Sequence, residues 1–132
     1  MATLPSIEPD QPLTVRQIQA ITDLDPARLD ALPIGVIRVD RQGTILAYNA
    51  TESRLAGLQP ADVVGRNFFR DVAPCTNVRE FAGRFQRGVE RGSLYEAFPY
   101  TFRFEPREVS VVVTLFHQQG DEDAWIFVSV QA

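Results

Sequence analysis

The last third of the chain is written in period two, which leaves little freedom in how it folds. Phe98, Tyr100, Phe102 and Phe104 alternate with Pro99, Thr101 and Arg103. Val109, Val111, Val113 and Leu115 alternate in the next run, and Gly120-Asp121-Glu122-Asp123 turns into a third, Ala124 to Val130. Successive strand side chains point to opposite faces, so each run has an apolar face to bury. Short turns between strands give antiparallel pairs, because a parallel pair needs a long crossover. Proline donates no ladder hydrogen bond, so Pro99 puts an edge or a bulge near the start of the first run.

Upstream, Ile34 to Val39 and Thr44 to Tyr48 form a hairpin around Asp40-Arg41-Gln42-Gly43. Asn49 caps a short helix that Gly57 ends, and Pro60 to Val64 makes another helical turn. The longest helix is expected from Val78 to Arg91, stopping at Gly92. Val78, Phe81, Phe85 and Val89 form its buried stripe, with Arg79, Arg84, Arg87 and Arg91 elsewhere around it. Two short helices precede the hairpin. Thr14 and Gln17 make a capping box for the first, with Val15, Ile18, Ile21 and Leu24 at near-helical spacing. Asp25-Pro26 opens the second, with Leu29 and Leu32 as apolar contacts. Residues 1–12, holding Pro5, Pro9 and Pro12, read as a loose lead-in. The order of elements describes an α+β domain: a five-stranded antiparallel sheet with helices on one face. Residues 1–30 are expected as a lead-in and helical cap, and residues 31–132 as the core.

Composition removes several function classes. At 132 residues, 45% hydrophobic and 23% charged, the chain fits one globular domain. No apolar run reaches the roughly 18 residues of a membrane span, and no signal peptide is visible. One cysteine and no export signal point to a reducing cytoplasm. A net charge of −4 argues against a general nucleic-acid surface. All 13 basic residues are arginines, which excludes any cofactor held by a lysine Schiff base, such as retinal or pyridoxal phosphate. No metal cluster, phosphate loop or nucleophile–base pair marks an enzyme. The single histidine, His117, sits near a strand end and is expected on the surface, so it makes a poor heme ligand.

The single cysteine, Cys75, follows Val64-Gly65-Arg66-Asn67-Phe68-Phe69-Arg70-Asp71-Val72-Ala73-Pro74 and precedes Thr76. On its own, a lone cysteine is best read as a small buried hydrophobe. Its context changes that. The run from Gly65 to Thr76 resembles the attachment segment of photoactive yellow proteins, as do Tyr48-Asn49-Ala50-Thr51-Glu52, Tyr100-Thr101-Phe102 and Trp125-Ile126-Phe127-Val128. The resemblance covers roughly the last hundred residues and needs no insertions. It implies a PAS-fold blue-light photoreceptor with p-coumaric acid (4-hydroxycinnamic acid) on Cys75 as a thioester. It also carries chromophore contacts over to Tyr48, Glu52, Ala56, Leu58, Phe68, Val72, Ala73, Pro74, Tyr100 and Phe102.

By themselves, Tyr48 is a half-buried strand aromatic, and Glu52 completes a capping pattern with its carboxylate on the Asn49 amide. The resemblance makes them the two donors to the chromophore phenolate. A free phenol has a pKa of about 10, so an ionised one inside a protein needs strong hydrogen bonds. A carboxylic acid donates only while protonated, and burial beside an anion raises its pKa. Isomerisation from trans to cis would then let Glu52 protonate the phenolate and become a buried, unpaired charge. Its cost drives opening of the N-terminal helices toward an unknown downstream signalling protein.

Three positions depart from the family pattern. Ala56 stands where a threonine hydroxyl is common, Leu58 where an arginine is frequent, and Pro106 where some relatives carry methionine. They bear on spectral tuning and recovery. The runner-up is a PAS-type ligand-binding or dimerisation module without a chromophore. A flavin light sensor is disfavoured because the Asn-Cys-Arg-Phe-Leu-Gln run is absent and Cys75 lies between Pro74 and Thr76.

Overall fold

The computed structural model describes residues 7, 11–104 and 107–130. Most of the expected lead-in, and Pro106 with whatever it does to the pocket, lie outside the described residues. Five strands form one antiparallel sheet: β1 (Gly35–Asp40), β2 (Ile45–Tyr48), β3 (Ser93–Phe104), β4 (Arg107–Gln118) and β5 (Asp123–Val130). Their spatial order is β2-β1-β5-β4-β3, so the final strand fills the centre and β3 is an edge. Pro99 is exposed on that edge, opposite Val112, where its missing donor faces no further strand.

β3 starts at Ser93, five residues before the alternation expected from Phe98. Glu96 hides the earlier part, since it occupies the same phase as buried Leu94 and Phe98. Arg84 satisfies it at 3.0 Å and also lies over the Phe98 ring, so a carboxylate is tolerated in an otherwise apolar row.

The helices are α1 (Val15–Thr22), α2 (Pro26–Asp30), α3 (Ala50–Ala56), α4 (Pro60–Val63) and α5 (Arg84–Arg91). The expected long helix exists in two registers. Arg79–Gly83 is a π-turn, with the Gly83 amide on the Val78 carbonyl, and α5 continues from it to Gly92, whose φ of 77° ends it. The extra residue in that turn shifts the stripe. Phe81 and Phe85 are buried, Val89 is half-buried, and Val78 is 41% exposed at the helix cap.

Helices cover both faces of the sheet, whereas the sequence order pointed to one. On the inner face α3, α4, α5 and the intervening turns close over a core that includes Phe68, Phe69, Phe81, Phe85, Phe98 and Phe102. On the outer face Leu13, Ile18, Ile21 and Leu32 of the N-terminal segment pack on Ile34, Val36, Phe116 and Phe127. The Thr14–Gln17 capping box forms in both directions, and Asp25 caps α2. Val15 is exposed and Leu24 only half-buried. His117 is not on the surface. It is 3% exposed, and its Nδ1–H donates to the Asp123 carbonyl at 2.9 Å, because β4 extends past the hairpin end expected for it.

Candidate functional site

The site grows from the junction of β2 and α3. Tyr48 ends the strand, Asn49 caps the helix, and Glu52 is in its first turn, so Tyr48 and Glu52 fall on the same side one helical turn apart. The reciprocal capping expected of Glu52 is absent. The Asn49 amide instead donates to the Val36 carbonyl, leaving the Glu52 carboxyl free to turn into the core. There the Tyr48 hydroxyl donates to Glu52 Oε2 at 3.4 Å, a long contact. Glu52 Oε1 is buried and has no hydrogen-bond partner among the described residues.

Burial at 1% exposure takes the Glu52 carboxyl out of water and pushes its pKa up to about 8, although the Tyr48 bond pulls the other way. Glu52 is therefore protonated at neutral pH. Burial and the neighbouring carboxyl raise the Tyr48 hydroxyl well above its ordinary range, so it stays a neutral donor. Room for the carboxyl comes from Gly35, where a Cβ would lie 2.0 Å from Glu52 Oε1. That glycine is required by close approach, a signal the hairpin pattern did not single out.

The attachment stretch is folded tightly against the same core. Asn67 accepts from the Phe69 and Arg70 amides through Oδ1, and donates through Nδ2 to the Gln42 carbonyl, tying it to the β1–β2 turn. A π-turn, Phe68–Val72, and a 3-10 turn, Pro74–Thr76, follow. The Thr76 hydroxyl donates to the Ala73 carbonyl at 2.7 Å, and the Tyr100 hydroxyl donates to the Cys75 carbonyl.

The inner core brings most of the expected site residues together. Tyr48, Ala56, Phe68, Ala73 and Phe102 are buried in it, while Leu58, Val72, Cys75 and Tyr100 pack against it half-buried. Pro74 faces solvent. Ala56 and Leu58 offer neither hydroxyl nor cation, but a cation does reach that helix end: Arg107, at the start of β4, donates to the Leu55 carbonyl. Its separation of 52 residues in sequence hid it.

Asn49 does more than cap α3. Its Oδ1 accepts from the Glu52 and Val36 amides, while its Nδ2 donates to the Leu29 and Ile34 carbonyls at 2.8 and 3.0 Å. Beside it the Ala50 amide donates to Asp30 Oδ1, and the Thr51 hydroxyl to the Leu32 carbonyl. The first turn of α3 is thus bonded directly to the segment that leads from the N-terminal helices into β1.

Residues 24–130 match the PAS fold family. The photoactive yellow protein of Rhodothalassium salexigens is 45% identical over 109 residues, 83% of this chain and 87% of that one. That of Halochromatium salexigens is 39% identical over the same shares. Among solved structures, the photoactive yellow protein domain of the sensor histidine kinase Ppr from Rhodospirillum centenum is 45% identical. It superposes with a TM-score of 0.79 over 83% of this chain and 96% of that one. Relatives this similar over most of the chain establish its membership: it belongs to the photoactive yellow protein family of PAS-fold photoreceptors.

Proposed function

We propose that this chain senses blue light through p-coumaric acid held as a thioester on Cys75, with Tyr48 and Glu52 donating to its phenolate oxygen. The observation that carries the reading is Glu52 Oε1, a fully buried carboxyl oxygen that the described residues leave without a partner. Buried polar atoms are almost always hydrogen-bonded, so an orphan beside a tyrosine hydroxyl fits a site completed by a ligand oxygen. The donor set fits too, since both groups are neutral donors at neutral pH. Leu58, Phe68, Val72 and Phe102 supply the apolar walls, and Cys75 packs on the same core.

When bound, the p-coumaroyl group supplies visible absorption and a light-driven trans-to-cis isomerisation. The remaining steps belong to the chain. Glu52 holds a proton in the dark and gives it up at its unpartnered edge. The carboxylate left behind is a bare charge in a water-poor site, a state costing several kcal/mol. Moving the first turn of α3 toward water relieves it and pulls on the bonds that Asn49, Ala50 and Thr51 make to residues 29–34. Residues 1–30 then act as a releasable cap on the photosensory core of residues 31–132, and the signal to a downstream protein in the cytoplasm is an altered surface with no chemical product. No helix among the described residues is long and apolar enough to cross a membrane.

Adding an activated p-coumaric acid to the apoprotein tests this. A visible band that bleaches in blue light, with one mass adduct lost in Cys75→Ala, is the expected result. A Cys75→Ala protein that still acquires a stable visible band would overturn the attachment. A wild type that acquires neither adduct nor band would leave a PAS module without a chromophore.

A further inference from the structure

The two ends of α3 are anchored to different parts of the molecule. The first turn is bonded to residues 29–36 through Asn49, Ala50 and Thr51. The last turn closes at Gly57, where the Gly57 and Leu58 amides both donate to the Ser53 carbonyl. The final carbonyls of a helix find no partner within it. Arg54, the cation in that turn, donates back to the Thr51 hydroxyl oxygen at 3.1 Å. The Leu55 carbonyl is served from outside, by Arg107 at the start of β4. Among the described residues this is the one hydrogen bond or ion pair between α3 and the β3–β4 hairpin.

Arg107 is itself braced by a stack of rings. It pairs with Phe104 in the β3–β4 register, and its guanidinium lies 5.9 Å from the centre of the Phe104 ring. Phe104 stacks in turn on Phe102, 5.4 Å away and parallel within 4°, and Phe102 is 1% exposed. The chain of contacts therefore runs from the buried core, through two rings and one cation, to the end of α3. Leu55 and Leu58 from α3, with Phe104 and Val109 from the hairpin, form the half-buried rim that this bridge crosses. A cation at a helix C-terminus also meets the negative end of the helix dipole.

We propose that Arg107 is a positioning residue: it pins the C-terminal end of α3 to the β3–β4 hairpin, so that a charge appearing on Glu52 swings the helix about that end and acts on the bonds to residues 29–36. The inference rests on the reading of Glu52 as the group whose deprotonation drives the response. Glu52 is in the first turn, and a short helix held at its far end moves most at the near one. With the far end free, the last turn can fray toward water instead, and the carboxylate is relieved while the bonds of Asn49, Ala50 and Thr51 stay intact. Arg107 thus decides which end yields, although it touches neither Glu52 nor the N-terminal helices.

The test uses full-length apoprotein, with pH in place of light putting the charge on Glu52, so it does not depend on chromophore binding. Tyr48 is the titratable group that acts on Glu52, and it stays neutral throughout. Between about pH 6 and about pH 9, amide exchange corrected for intrinsic rates should quicken in α1 and α2 of the wild type while Gly57 and Leu58 stay protected. Glu52→Gln should abolish that response. In Arg107→Gln, exchange at Gly57 and Leu58 is expected to be about fivefold faster at either pH, and the response of α1 and α2 to shrink. The Glu52 titration, read from the infrared carbonyl band of its protonated carboxyl, should fall by about half a pH unit, because a looser helix end lets the carboxylate reach water. Arg107→Lys keeps a cationic donor and should restore most of both effects. A bond that served folding stability alone would change exchange without moving the titration or the N-terminal helices. A full wild-type response of α1 and α2 in Arg107→Gln would overturn the proposal, as would a lysine variant no better than the glutamine one. The expected redistribution in a protein that takes up no p-coumaroyl group would leave Arg107 in its role and defeat the chromophore reading. Identical light-driven opening in pigmented wild type and Arg107→Gln would do the reverse.

Discussion

The two faces of the sheet are built to different strengths. Among the described residues the inner face joins 21 buried ones in one cluster, where Phe68, Phe69, Phe81, Phe85, Phe98 and Phe102 interlock with Tyr100 at ring separations of 5.0 to 6.4 Å. Among the described residues the outer face joins eight, of which Leu13, Ile18, Ile21 and Leu32 come from the N-terminal segment that covers it. Burial of apolar surface is the main favourable term in folding, so the covering segment opens at lower free energy than the core. The buried carboxyl sits with the strong face, and the part that can yield is the weak one. Asn49 stands between them, with bonds to both.

The largest expected effect comes from attacking the strong face. Phe81→Ala leaves a cavity at the centre of the aromatic network and should cost about 3–5 kcal/mol of global stability by urea unfolding. Ile18→Ala removes an equally buried side chain from the cap, yet should appear mainly as faster amide exchange in α1. Equal losses of global stability from the two would erase the distinction between the faces.

The next effect is electrostatic and confined to the inner face. The folded Glu52 carboxyl titrates at about 8, above its ordinary 4.5. Between those values the folded apoprotein keeps a proton that the unfolded chain has released, so stability falls as pH rises. The contribution is fully present below the unfolded value and is lost as pH passes through the folded one. Unfolding of the apoprotein at about pH 6 and about pH 9 should differ by a few kcal/mol in wild type, and much less in Glu52→Gln. A flat profile in wild type would mean that the carboxyl is solvated and the inner face is open.

The link between the faces should respond at an intermediate level. Asn49→Ala removes four hydrogen bonds at once, taking that partner from the Ile34 carbonyl and the Val36 and Glu52 amides, while the Leu29 carbonyl keeps the Leu32 amide. A loss of about 2 kcal/mol is expected, with exchange rising in both the cap and α3. Confinement of the change to α3 would show that Asn49 is a helix cap and no more.

Much of this organisation was legible in the residues, and the failures have physical causes. The strand runs, the caps at Thr14, Asp25 and Asn49, and the stop at Gly92 were readable because each depends on local spacing. Val78 was misplaced because a π-turn breaks the helical count. The start of β3 was hidden by Glu96, whose partner Arg84 is 12 residues away, and Arg107 by its distance from Leu55. His117 looked like a surface residue because nothing local announces a ring sealed by the neighbouring strand. Gly35 offered no turn signal, since its need is a carboxyl from another element. Cap placement on the outer face could not be read either: period-3.6 spacing marks an apolar stripe but does not say which side of a sheet receives it.

The smallest effect is also the sharpest test of the weak face. Thr14 lies at the exposed start of α1, where its hydroxyl accepts from the Gln17 amide at 3.1 Å and the Gln17 side chain answers on the Thr14 amide at 2.8 Å. Thr14 is exposed, so Thr14→Ala weakens the helix start while Ile18 and Ile21 keep their buried positions. Loss of such a cap costs about 1 kcal/mol, which corresponds to roughly fivefold in a local opening equilibrium. If the cap opens by itself, amide exchange over Val15–Thr22 should quicken by about that factor while the urea midpoint of the core stays where it was. In the reconstituted protein the same change should favour the lit state, because a cap that opens more readily offers less resistance to the charge on Glu52. A matching fall in the global midpoint would show that cap and core unfold together. The outer face would then be part of one cooperative unit, and release of residues 1–30 could not be the response to light.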